Sequence, residues 1–222
     1  GGKIVQKLWT TLAVHYYGSY ISQIKGNVDA VYAGFAGANG FRFLKQYNEY
    51  GMKAKIPVFG SATTVDEGIL KNMGEEAVGV ISTAWYSATI DTPDNRKFVA
   101  AVNKEYNADP GYYTTGAYSA GLMLEQALRA VSGRIEDKDA FMKALRTVHV
   151  ANDPRGEIKL DEYGNPVQNI YIRKVERKGA KLVNTVLKVY PNVSQFWSYD
   201  PKQFLASPVY SRDYPPAKNL EP

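Results

Sequence analysis

Apolar positions along the chain follow two periods, and the order in which the periods alternate predicts the architecture. Lys3-Ile4-Val5-Gln6-Lys7-Leu8 alternates polar and apolar residues as a strand does. Tyr17 to Lys25 then takes helical spacing, with Tyr20, Ile21 and Ile24 on one face. Val28 to Ala33 is nearly continuously apolar, the mark of a strand covered on both faces. Gly34, Gly37 and Gly40 interrupt it. Phe41 to Tyr50 is again helical, and Gly51 suits the residue just past its end, where a positive φ stops the helix. Pro57-Val58-Phe59, a short helix from Val65 to Asn72, and a strand from Val78 to Thr83 continue the series. Strand and helix alternating through loops this short predict right-handed crossovers and a parallel sheet, an α/β fold.

Beyond Trp85 the pattern changes. Thr92-Pro93-Asp94-Asn95 starts a helix that carries Phe98, Val102 and Tyr106, and Asp109-Pro110-Gly111 ends that region. Thr114 to Val131 is the clearest helix, with a stripe of Ala117, Ala120, Leu124, Leu128 and Val131 closed by Gly133. Asp137 caps a further helix carrying Phe141, Ala144 and Leu145. Ile158 and Leu160 precede the turn Asp161 to Asn165, and Val167 to Val175 reads as a strand paired through it. The run Lys174 to Lys181 around Gly179 reads as a solvated hairpin turn. Pro191 to Pro222, with several aromatics, is expected to wrap over the surface. The join falls near Ala84 to Ala88. The first segment is a complete α/β unit, whereas little in residues 87–160 can cover a helix as apolar as Thr114 to Val131.

Composition narrows the chemistry. The 222 residues hold no cysteine, which removes disulfides, thiolate metal sites and cysteine nucleophiles together. A net charge of +5 is modest and scattered, so no nucleic-acid surface is assigned. Only His15 and His149 are present, and neither has ligand-spaced neighbours in sequence, so no metal centre is assigned. The pairs Glu75-Glu76 and Glu136-Asp137 read as solvated surface. Gly34-x-x-Gly37-x-x-Gly40 lacks the dinucleotide spacing and reads as a tight strand-to-helix turn. Gly116 to Gly121 superficially resembles a nucleophile elbow around Ser119 but lacks the glycine two before the serine and lies within a helix. No catalytic residue and no cofactor are assigned.

What remains are aromatic and hydroxyl residues at strand ends: Trp9 and Thr10, Phe35 with Asn39, Ser61-Ala62-Thr63, and Trp85 with Tyr86. In an open parallel sheet ligands settle beyond the carboxyl ends of the strands. Four groups on that edge, with no acid–base pair, suit holding a small molecule without transforming it.

In order along the chain, several pieces resemble the Leu/Ile/Val-type periplasmic binding proteins, the type I substrate-binding subunits of ABC importers. They are Gly26-x-x-Asp29-Ala30-Val31, Phe43-Leu44-Lys45-Gln46, Gly51-Met52, Ile56-Pro57-Val58-Phe59-Gly60, Gly79-Val80, Thr92-Pro93-Asp94-Asn95, Lys97-Phe98-Val99 and Tyr118-Ser119-Ala120. Pro154-Arg155-Gly156 and Val167-Gln168-Asn169-Ile170-Tyr171 extend the likeness to nearly the whole chain. The resemblance implies a two-lobed fold in which residues 1–86 form the second, ligand-binding lobe. Residues 87–168 would be the later part of the first lobe, and residues 169–222 the return strand and tail. The early half of the first lobe is expected to be missing, and the opening Gly1-Gly2, without an initiator Met or signal peptide, reads as a processed, truncated or fragmentary chain.

The resemblance further implies a periplasmic solute-binding protein that closes on a small-molecule ligand and docks on membrane permease subunits. A cytoplasmic ligand-sensing regulator on the same fold is the alternative, and a hydrolase at Ser119 a distant third. Tyr113 matches the family's hinge-region tyrosine. Amino-acid binders of the family carry an acidic residue after the third strand of this lobe, which would pair with the ligand ammonium. Here that stretch is Gly60-Ser61-Ala62-Thr63, and Asp66 lies farther on. A buried ammonium without a counter-charge is costly, so the expected ligand is an aromatic or aliphatic carboxylate lacking an α-ammonium.

Overall fold

The computed structural model describes residues 2–209. Three short parallel strands come first: β1 (Val31–Ala33), β2 (Val58–Gly60) and β3 (Ile81–Ala84). The helices α1 (Gly18–Ile21), α2 (Ala38–Glu49) and α3 (Glu67–Leu70) are interleaved with them. Three longer helices follow, α4 (Pro93–Tyr106), α5 (Tyr112–Ala130) and α6 (Lys138–Arg146). The strands β4 (His149–Val150), β5 (Ile158–Leu160), β6 (Pro166–Lys178) and β7 (Lys181–Val193) and the short helix α7 (Pro201–Leu205) complete the order.

The expected parallel α/β unit forms, and the sheet then continues beyond it. Its order is β1-β2-β3-β6-β5-β4, with β7 also bonded to β6. β6 runs antiparallel to β3, pairing Ile81 with Lys174 and Ala84 with Tyr171, while its first residues pair with β5 through Val167 and Lys159. One strand therefore joins the parallel unit to the hairpin region. The hairpin through Asp161–Asn165 forms as expected, with Gly164 at φ 83°. The basic run turns at Gly179, φ 62°, between β6 and β7.

Local chemistry explains most helix ends. Thr92 accepts from the Asn95 amide with Pro93 in the first turn of α4, and Asp137 accepts from Ala140 at 3.0 Å to start α6. Gly51, at φ 69°, ends α2 as its position predicted. The main core gathers Tyr17, Ile21, Phe43, Leu44, Tyr47, Val58, Val65, Leu70, Val80 and Val175 around the parallel strands. Tyr86, Ile90, Phe98 and Tyr171 form a smaller cluster under α4.

Three expectations require correction. Residues 3–8 form no strand: Ile4 is exposed, and the segment is tied to the α1 end only through Gln6, whose amide donates to Gln23 O at 2.8 Å, and through Lys25. Alternation alone makes an extended chain, and a ladder also needs a neighbour with free backbone groups. The helix expected over residues 17–25 stops at Ile21, because Gln23 and Ile24 close tighter turns. Finally, Pro191 to Val193 belong to β7 rather than to a wrapping tail. After them Phe196 packs edge-on to Tyr163 and Phe204, so the start of the tail covers the β5–β6 turn, and residues 210–222 lie outside the described part.

The apolar stripe of α5 lies largely uncovered. Ala117 and Ala120 are exposed and Leu124 is 45% exposed, whereas the buried positions are Thr115, Ser119 and Ala127 on another face. This matches the deficit of covering strands in residues 87–160.

Helix glycines separate close approach from open surface. A Cβ at Gly40 would lie 2.7 Å from the Thr64 carbonyl, so α2 sits directly on the loop after β2, while a Cβ at Gly121 would meet nothing within 4 Å. Gly40→Ala is expected to cost about 1–3 kcal/mol by overpacking, and Gly121→Ala to gain about 0.5–1 kcal/mol from helix propensity. Urea denaturation of both variants checks the opposite signs.

Candidate functional site

The site is built on the loops that leave the carboxyl ends of β1, β2 and β3. The hydroxyls after β2 fold onto the backbone after β1: Ser61 Oγ and Thr63 Oγ1 each donate to Phe35 O at 3.1 Å. Thr64 Oγ1 bonds Ala33 O and Phe35 O, both at 2.9 Å, and accepts from the Phe35 amide at 3.3 Å. Phe35, Ser61 and Thr63 are thus brought together on one half-buried surface. The Phe35 ring packs on buried Tyr17 and Phe43, at centroid distances of 5.2 and 5.0 Å.

Arg173, on β6, ties this loop to the end of β3. Its side chain is almost wholly buried, and it donates to Ala62 O at 3.2 Å, Tyr86 O at 2.8 Å and Ser82 Oγ at 3.2 Å. Glu67 faces it at 3.4 Å and accepts from the Ala88 amide at 3.3 Å. Ala62 and Tyr86 are therefore joined through their carbonyls. Burial pushes the Glu67 carboxyl above its ordinary range, and the nearby Arg173 charge offsets only part of that rise.

Trp85 stacks with Tyr112 at 4.5 Å, and Tyr112 meets Tyr113 edge-on at 5.1 Å. The Arg155 guanidinium lies 4.2 Å above the Trp85 ring. Arg155 is itself buried beside Asp153, at 3.4 Å. Tyr113 is 68% exposed beside this stack.

Other expected positions fall elsewhere. Trp9 is 72% exposed on an irregular segment, and neither it nor Thr10 bonds to the other groups. Asn39 holds that segment indirectly, donating to Leu12 O at 3.0 Å. The Tyr86 ring is 1% exposed and its hydroxyl donates to Asn95 at 2.9 Å, so its side chain is a core group. Ser119 is equally buried and donates to Thr115 O at 2.9 Å, as a small residue at a helix contact does. His149 gains a neighbour that the sequence spacing does not show, Glu157 across β4–β5 at 2.8 Å. Among the described residues no cluster could hold a metal ion, and no helix is long and apolar enough to cross a membrane. A cavity of about 460 Å³ lies between α3, α4 and the β6–β7 hairpin, and none of the expected site residues lines it. Phe35, Ser61, Ala62, Thr63 and Trp85 are instead half-buried.

Arg173 and Asp66 are the residues that sequence reasoning missed. Arg173 shares strand parity with buried Tyr171 and Val175, so a charge on the inward face of β6 was the available signal. Asp66 accepts from Gly68 as the cap of α3, and also from the amide of Tyr112 at 2.6 Å.

Known proteins resemble the chain in sequence and fold. The model of a family described as periplasmic binding protein matches residues 1–180. The chain belongs to that family. A Leu/Ile/Val-binding protein homolog 6 from Brucella abortus (strain 2308) is 31% identical over 183 residues, covering 80% of this chain and 46% of that relative. An ABC transporter substrate-binding protein from Sphaerobacter thermophilus superposes with a TM-score of 0.77 at 31% identity, over 82% of this chain and 50% of its own. A solute binding protein of an ABC transporter from Rhodopseudomonas palustris BisB5, in complex with 3,4-dihydroxy benzoic acid, gives 0.75 at 31% identity, over 85% and 51%. The chain spans about half the length of these relatives. The fold is that of type I periplasmic binding proteins, as the sequence resemblance implied.

The buried pair yields two predictions. Arg173→Met leaves the Glu67 carboxylate without its counter-charge and is expected to cost about 3–5 kcal/mol, read by urea unfolding at neutral pH. The Glu67 pKa is raised in the folded chain, so its contribution to stability is full below its ordinary 4.5 and is lost as pH rises through the elevated value. Glu67→Gln is expected to remove that decline, and unfolding curves across a pH series above 4.5 in both proteins check it.

Proposed function

We propose that the chain is part of the solute-binding component of an ABC importer, acting in the periplasm. It holds a small aromatic or aliphatic carboxylate that lacks an α-ammonium, and passes it to membrane permease subunits. Residues 1–86 supply one gripping face through Phe35, Ser61, Ala62, Thr63, Trp85 and, across the hinge, Tyr113. The uncovered stripe of α5 and the half-length match to relatives support a second face completed by strands outside these 222 residues.

The observation that carries the ligand class is the state of the two acids beside the ligand loop. The Asp66 carboxylate is taken by the amides of Gly68 and Tyr112, and Glu67 is taken by Arg173 and Ala88. Neither is free to meet a ligand ammonium, Asp153 beside the Trp85 ring is paired with Arg155, and the other groups are rings and hydroxyls. The solved relative holding 3,4-dihydroxy benzoic acid points the same way.

Titration calorimetry on the protein at its full encoded length tests this reading. Benzoate-type acids are expected to bind at least about tenfold more tightly than leucine, the ratio set by a difference of roughly 1.4 kcal/mol. Leucine binding more tightly than benzoate would overturn it.

A further inference from the structure

The Asp66 carboxylate performs two tasks on segments 46 residues apart. It caps its own short helix through Gly68 at 3.0 Å, and it accepts the first amide of α5, Tyr112, at 2.6 Å. α5 has no cap of its own, because the residue before it is Gly111. Gly111 has φ −119°, a conformation open to any residue, so its small size has another cause. A Cβ there would lie 2.4 and 2.7 Å from the two Asp66 oxygens. Gly111 is thus the space into which the carboxylate of a distant loop fits. The pairing also sets a negative charge at the positive end of a 19-residue helix.

We propose that Asp66 is a positioning residue of the ligand site. It docks the start of α5 onto the loop that carries Ser61 and Thr63, and so fixes Tyr112, Tyr113 and the Trp85 stack relative to those hydroxyls. Separation of the two segments must break the Asp66–Tyr112 bond. The assignment rests on the binding reading above for its purpose, while the bond itself can be tested without any ligand.

The test is a double-mutant cycle read by NMR hydrogen exchange on the 222-residue chain. Asp66→Ala and Gly111→Ala are each expected to speed exchange at the Tyr112 amide by about fivefold or more, the scale of a lost helix cap. Leu122 to Gln126, in the middle of α5, should keep their protection. The double variant should exchange no faster than either single one, because both changes remove the same contact. Asp66→Asn, which keeps one acceptor oxygen, should restore part of the protection. Unchanged exchange at Tyr112, effects that multiply in the double variant, or an equal rise along all of α5 would each overturn the proposal. If Asp66→Ala fails to fold, Gly111→Ala carries the same reading with Asp66 intact. Because no ligand is present, a failed benzoate–leucine ranking leaves this result standing, and the converse also holds.

Discussion

A buried guanidinium organises the region where the loops converge. Arg173 leaves water on β6 and recovers its hydrogen bonds from three segments: the loop after β2, the end of β3 and the first turn of α3. Desolvating a charge of this kind is costly, and a buried pair such as Arg173–Glu67 adds little net stability over an apolar substitute. Its value lies in geometry. The planar fork accepts few arrangements of acceptors, so the carbonyls of Ala62 and Tyr86 are held at fixed positions on either side of it. The segment after Tyr86 is fastened in a similar way: Ser87 and Thr89 both donate to Asn184 O at 2.6 Å, and the Asn184 amide donates to Val65 O at 2.8 Å. The segment after β3 is therefore fastened by polar bonds inside the protein as well as by the packing of Tyr86 and Ile90.

Two kinds of contact join the parallel unit to the helices beyond it. One is hydrogen-bonded continuity of the sheet through β6, which pairs with β3, β5 and β7. The other is the carboxylate of Asp66 set into the space at Gly111. The smaller cluster of Tyr86, Ile90, Phe98 and Tyr171 lies between them and is modest beside the main core. A link made of a few directional bonds and little apolar area costs little to break and remake, in contrast to the apolar packing of the main core.

Much of the fold could be read in the residues. The parallel strands, the caps at Thr92 and Asp137 and the turns at Gly51, Gly164 and Gly179 each follow from local chemistry, and the structure keeps them. The deficit of strands around α5 was also legible, since amphipathicity reveals a face that needs covering even when the cover is not encoded nearby. Residues 3–8 failed because alternation predicts an extended chain but says nothing about a partner. At the site, the grouping of Phe35, Ser61 and Thr63 followed from the rule for strand ends. Tyr86 did not, because its direction depends on Asn95, which lies on the next helix. Arg173 and Asp66 stayed hidden for a related reason: each acts on residues roughly 45 to 110 positions away, a scale local pattern does not reach.

The central place of β6 has a consequence for how the chain reaches its native state. Ile81 on β3 waits for Lys174, so the parallel strands are made with one long edge open until more than ninety further residues have emerged. During synthesis that edge is a row of unpaired amides and carbonyls beside an apolar core, the kind of surface that recruits other chains. A nascent polypeptide of this design gains from being held unfolded until β6 and β7 are available, since early collapse would bury the place that Arg173 must occupy. Late arrival of a central strand thus defers completion of the sheet until β6 has been made.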